Sequence, residues 1–266
     1  MAPPPPSREH GLEQLPAAAR PVVEAVAERW RQYDDLAWAY GQGSVLSGFR
    51  DDSDIDLVAV WEEMPAASTL PFPSIVSGHR PLVFERGHAA GFELDVQHVP
   101  RQVFAGWMDE LTRGGGWSEE QWPMPVHVAA GLAQGVLLVD RAGDGEAVQR
   151  RAQEPGPRLV SVVLEQLDAR APDFLTELEK ADAAGNRWLH DSLAVELHRL
   201  VYVAWFLAEG HHPPFFKHLP DWFERLSMDT DVRHLEASYW AVGDARTRRA
   251  TLAELVSAVL ELGGRG

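Results

Sequence analysis

The chain of 266 residues contains no cysteine. That single absence excludes disulfide frameworks, thiolate zinc sites, iron–sulfur clusters and a cysteine nucleophile. It suits a reducing compartment, so a cytoplasmic location is expected. Long apolar runs are also missing, since no stretch approaches the ~18 residues needed to cross a bilayer. No membrane partner is expected. Met1 to Pro6 is a proline run without a basic or an apolar segment, so residues 1–16 read as an extended, solvated tail and not as a signal peptide. Positive charge is scarce: Lys plus Arg is 24 and Asp plus Glu is 40, a net charge of 24 − 40 = −16. Such a surface repels nucleic acid and anionic lipid, so no nucleic-acid partner is expected. Solubility is its simplest role, and it gains a second meaning only beside a site that takes a cationic substrate. No Gly-x-x-x-x-Gly-Lys-Ser/Thr run is present either, which leaves Walker-type nucleotide binding without support.

What is present is an ordinary globular composition, with hydrophobic residues at 45%, enough for a core that needs no cross-link. Pro21 opens an amphipathic helix running to about Gln32, with Val22, Val23, Val26 and Trp30 on its buried side. Leu36 to Tyr40 reads as a strand, 41–44 as a turn into a short helix, 48–54 as a polar loop, and Ile55 to Trp61 as a strand. Residues 62–78 lack a period and read as a loop. Arg80 to Glu85 and Phe92 to Val99 read as paired strands around a loop at 86–91. In the second of these, Phe92, Leu94 and Val96 alternate with Glu93, Asp95 and Gln97, the mark of a half-buried strand. Beyond Pro100 helical patterns dominate, with one short strand at 135–139. Pro155-Gly156-Pro157 precedes a run of helices, the longest over 188–209 and the last over 247–262. The expected class is α+β: a small mixed sheet with flanking helices over 17–142, then an all-helical bundle over 143–266.

The chemistry is concentrated in Gly43-Ser44, nine residues, then Asp54-Ile55-Asp56. A Gly-Ser turn at a helix start presents backbone N–H groups and a hydroxyl to an anion. Gly43 admits a phosphate that a Cβ would exclude. Asp54 and Asp56, two apart on a strand, send both carboxylates to one face. Hard oxygen ligands of that kind suit magnesium, and two such acids can bracket a pair of ions. A third carboxylate is expected from the next strand, where Asp95 is favoured and Glu93 is the alternative. Either would ligate one ion and take a proton from an attacking hydroxyl. An Asp-x-Asp alone is most often a solvated acidic turn. The upstream Gly-Ser and the later strand acids are what separate this one from that background.

On residues 43–57 the chain resembles the minimal nucleotidyltransferase superfamily, whose signature is Gly-Gly or Gly-Ser, a spacer, then Asp-x-Asp. The helical half, at Leu197-His198-Arg199-Leu200-Val201-Tyr202 and Phe216-Lys217-His218-Leu219-Pro220-Asp221-Trp222, resembles aminoglycoside adenylyltransferase-like proteins. That resemblance implies that Arg199 and Lys217 reach ATP. It also implies transfer of AMP from ATP to a hydroxyl of a small, cationic, aminoglycoside-like acceptor, with two Mg2+ ions, in an antibiotic-resistance role. Nucleotidylation of a protein partner, as in antitoxin-type members, and a silent nucleotide-binding protein on the same fold are the alternatives. A monomer or weak homodimer is expected. From the residues alone, an arginine in an apolar helical run needs a partner, and Glu196 or Asp221 serves as well as a phosphate. His211-His212 before two prolines reads as a surface turn, with a zinc site as the sharper reading. Gly114-Gly115-Gly116 reads as a flexible linker.

Overall fold

In a computed structural model, residues 15–50, 53–76, 81–118 and 122–264 are described. The chain divides into two compact units, one of residues up to 109 plus 128–153, the other of 110–127 plus 154–266. The architecture is α+β: a six-stranded mixed sheet in the first unit and helices in the second.

The sheet unit begins with α1 (Arg20–Trp30), whose proline sits in the first turn, where its missing N–H has no intrahelical role. β1 (Leu36–Gln42), the short α2 (Gly43–Leu46) and β2 (Ile55–Trp61) follow. Then come β3 (Ser74–Val76), β4 (Val83–Ala89) and β5 (Phe92–Pro100). After α3 (Arg101–Thr112) and α4 (Pro125–Gln134), the sheet is completed by β6 (Val136–Asp140) and flanked by α5 (Asp144–Ala152). Strand order is β3-β4-β5-β2-β1-β6. β2 and β5 are parallel, and the other pairings are antiparallel. Period-2 alternation assigns the two faces. Ile55, Leu57, Ala59, Trp61, Leu94 and Val96 form one, buried in a cluster with Val22, Val23, Ala27 and Trp30 of α1. The opposite face carries Val58, Val60 and Val99, all buried, and Trp38, whose ring meets Phe104 of α3 edge-on at 4.8 Å.

Several sequence expectations change here. The solvated tail was expected to include residue 15, but Leu15 is buried and its carbonyl accepts from Arg20 Nη2 at 3.2 Å; residues 1–14 lie outside the described part. Residues 86–89, expected as loop, continue β4, and the turn shrinks to Ala90-Gly91 at φ 48° and 91°. The segment 62–78 contains β3, paired with β4 from Ser74↔Glu85 to Val76↔Val83. A break at 142–143 was also expected, whereas α5 stays with the sheet. Gln149 Nε2 donates to the carbonyls of Leu132 and Gly135, both at 2.9 Å, and Asp140 accepts from the N–H groups of Gly143 and Glu146 at 2.9 Å.

In the helical unit, α6 (Pro157–Ala183) packs along α7 (Arg187–Ala208) and α10 (Ala245–Gly263), with α8 (Leu219–Arg225) and α9 (Thr230–Ala241) between the last two in sequence. Leu159, Val163, Leu167, Leu197, Val201, Leu252, Leu255 and Val259 are buried along these helices at helical spacing. Asn186 and Asp244 cap α7 and α10, accepting from the N–H groups of Leu189 and Thr247. The Gly114 to Gly116 stretch is no open linker. Gly114 and Gly115 donate to the carbonyls of Leu111 and Glu110, closing the end of α3.

His212 overturns the surface-turn expectation: with Pro213 and Pro214 it is buried. Burial, reinforced by neighbouring His211, pushes its imidazolium down to about 4. The unfolded chain therefore takes up a proton near the ordinary histidine value while the fold does not, so stability is full above that value and is lost as pH falls toward 4. The loss should reach about 2 kcal/mol by pH 5. Melting curves of the wild type and His212→Phe at pH 7.5 and pH 5 check this: the variant's stability should fall less between the two.

Candidate active site

Cross-strand register builds the site. Gln42 of β1 stands opposite Asp56 of β2, Asp56 is in register with Asp95 of β5, and Asp95 is paired with Arg86 of β4. One row of side chains thus crosses four strands. Further along the same face the valines are buried, but Asp56 and Asp95 are half-buried. Asp54 lies one residue before β2 and is also half-buried, and Ser53 Oγ donates to its Oδ1 at 2.6 Å. One carboxylate oxygen from each of Asp54, Asp56 and Asp95 can be chosen such that all three lie within 4.8 Å of one another. These are hard donors in a half-dry setting, which fits a divalent cation such as magnesium. Without a positive charge nearby, three acids this close would repel.

Gly43 is required twice over. Its φ of +92° is a left-handed conformation, and a Cβ there would overlap the carboxylate of Asp56. The Gly-Ser turn is therefore pressed against the second aspartate. α2 begins at Gly43, and its ladder starts with Ser47 N–H donating to the Gly43 carbonyl at 3.0 Å. The first-turn amides of α2 therefore precede that ladder and are not committed to it. Gly43→Ala should displace Asp56 and reduce the catalysed rate about 100-fold, the scale of an ångström-sized misplacement. Steady-state turnover beside an unchanged circular dichroism spectrum checks it.

Glu93, the alternative third acid, is not part of the three-carboxylate set. It shares the polar face of β5, and its Oε1 lies 3.3 Å from Arg86 Nε. The residue that sequence reading missed is Arg86. Its Nε and Nη2 donate to the two oxygens of Asp95 at 2.6 and 2.8 Å, a bidentate pair. Those hydrogen bonds, then the charges of Asp95 and Glu93, raise the guanidinium pKa further. The only sequence signal was an arginine directly before Gly87, which reads equally well as loop.

Arg199 and Lys217 belong to the helical unit. Both are exposed, Arg199 on α7 and Lys217 just before α8. Only the expected burial of Arg199 in the apolar run does not hold. α7 turns Leu197, His198 and Leu200 inward and leaves position 199 facing out. No helix among the described residues is long and apolar enough to cross a membrane.

No protein-family model matches the chain, and no curated protein matches it. Among solved structures the chain is similar to a nucleotidyltransferase-like protein from Exiguobacterium sibiricum 255-15. The match has 12% identity and a TM-score of 0.44, and covers 93% of this chain and 76% of that one. A likeness at that distance assigns no residue and no substrate.

Proposed function

We propose that this chain is a magnesium-dependent nucleotidyltransferase that moves a nucleoside monophosphate, AMP from ATP, to a hydroxyl of a small cationic acceptor. The observation that carries the reading is the convergence of Asp54, Asp56 and Asp95 within 4.8 Å beside a Gly-Ser turn that must be glycine. A solvated acidic turn has no reason to recruit a third carboxylate from a neighbouring strand, nor to press a left-handed glycine against one of its acids.

In this reading Asp54, Asp56 and Asp95 would hold magnesium ions, which when bound would neutralise phosphate charge and make the acceptor hydroxyl easier to deprotonate. Gly43 and Ser44 offer amides and a hydroxyl to the triphosphate. The acceptor oxygen forms a bond to the α-phosphorus while the bond from that phosphorus to the bridging oxygen breaks. The hydroxyl proton passes to the carboxylate of Asp95, and pyrophosphate leaves with the electron pair. The net charge of −16 favours a cationic acceptor, such as an aminoglycoside, by long-range attraction. Pyrophosphate release from ATP and magnesium, measured across a panel of amino sugars, neutral polyols and candidate proteins, tests the reading. Acceptor-dependent release with a cationic amino sugar supports it. Release only with protein acceptors would move the chain to the protein-modifying class, and no release with any acceptor would favour a silent nucleotide-binding protein.

A further inference from the structure

Arg86 occupies the carboxylate that the reaction needs. Its two nitrogens engage both oxygens of Asp95, at 2.6 and 2.8 Å. A carboxylate has about four lone-pair directions, and a bidentate guanidinium takes one on each oxygen, leaving fewer for a metal. The side chain is 67% exposed against 28% for Asp95, so the arginine can leave while the aspartate stays. It cannot relieve the conflict by losing its proton, because a guanidinium remains charged at any working pH. A second seat is already within reach, since Glu93 Oε1 is 3.3 Å from Arg86 Nε and Glu93 is 42% exposed on the same face.

Resting on the nucleotidyltransferase reading, we infer that Arg86 is a resident counter-ion of Asp95, clamping it while divalent cations are absent and transferring to Glu93 when one arrives. This gives the two acids of β5 separate roles. Asp95 serves the metal, and Glu93 receives the displaced arginine. The clamp offsets the charge of Asp95 beside the other two carboxylates and sets a threshold against bare cations. A metal arriving with a triphosphate brings negative charge that the arginine does not oppose, so the threshold is felt most by metal alone.

An exposed ion pair is worth little in water, so the competition should change metal affinity by about two- to fivefold and no more. The test is titration of the full chain with Mn2+ without nucleotide, bound ion being read by electron paramagnetic resonance. Arg86→Gln should bind Mn2+ about two- to fivefold tighter than wild type. Arg86→Lys, which keeps the charge but loses the fork, should fall between the two. Glu93→Gln removes the second seat and should weaken binding about threefold, although Glu93 is not a ligand. Unchanged or weaker binding by Arg86→Gln would overturn the inference and leave Arg86 as a cross-strand pair that merely places Asp95. If that happens while Asp56→Asn still abolishes binding, the inference fails alone and the metal site stands. If Asp56→Asn binds Mn2+ as wild type does, the metal site and the inference fail together.

Discussion

Asp56→Asn should lower magnesium-dependent pyrophosphate release at least about 1000-fold, equivalent to roughly 4 kcal/mol of barrier at 1.36 kcal/mol per decade. The position is central in three ways. Asp56 is one of the two inner members of the row from Gln42 to Arg86, it is one of the three converging carboxylates, and its oxygen lies where a Cβ on Gly43 would fall. An amide keeps the size and removes the charge that would hold a cation. The substitution should therefore leave the fold in place, and the melting temperature should stay within a few degrees of wild type. Activity that fell together with folding would say only that the aspartate is structural, whereas loss of turnover with an intact melt is the expected result. Glu63→Gln is the control: the side chain is exposed and lies outside the carboxylate set, so turnover should not change.

The second large effect lies on the other face of the sheet. His98, Glu85 and Trp61 are all buried, and their polar atoms form a closed chain. Trp61 Nε1 donates to His98 Nδ1 at 3.1 Å, which requires the remaining ring proton to sit on Nε2. That nitrogen donates to Glu85 Oε2 at 2.9 Å, and Glu85 Oε1 accepts from the amide of Phe72 at 2.9 Å. The network pins the loop before β3 to the sheet beneath α1. His98→Leu strands the indole N–H and one carboxylate oxygen in a dry interior and should cost about 3–5 kcal/mol. Removing both polar partners in Glu85→Leu/His98→Leu should be less damaging than the single change, because it leaves the Trp61 indole and the Phe72 amide unmatched but no buried carboxylate charge. Urea unfolding of the two variants and the wild type measures the difference. A double variant worse than His98→Leu would mean that packing, and not hydrogen bonding, sets the cost.

How much of this was legible beforehand follows from the physics of each part. The Gly43-Ser44 and Asp54-Ile55-Asp56 pattern is local, and strand period alone places Asp56 and Asp95 on the polar face. The α+β division shows in the switch from period 2 to period 3.6 near Pro100. Register is not local, so the sequence alone left Asp95 and Glu93 as rivals; pairing of Asp56 with Asp95 puts Glu93 two residues further along. Arg86 was hidden because Gly87 reads as a turn residue, yet in the strand its missing Cβ makes room for the ring of Phe72. The network at His98 joins residues 13 and 37 positions apart, a distance no motif spans. His212 was misread because two following prolines suggest a surface, although a proline-rich segment can be buried when its few N–H groups are spared. The break expected at 142–143 failed for a similar reason: α5 looks like the first helix of a bundle, but its Gln149 satisfies carbonyls of the sheet unit.

The most direct measurement is a crystal structure of the chain with a non-hydrolysable ATP analogue and Mn2+, read by anomalous scattering. The expected result is manganese within about 2.2 Å of oxygens of Asp54, Asp56 and Asp95, with the triphosphate against Gly43 and Ser44 and Arg86 moved off Asp95. A triphosphate bound elsewhere, or manganese absent from these three carboxylates at saturating concentration, would contradict the assignment of the site.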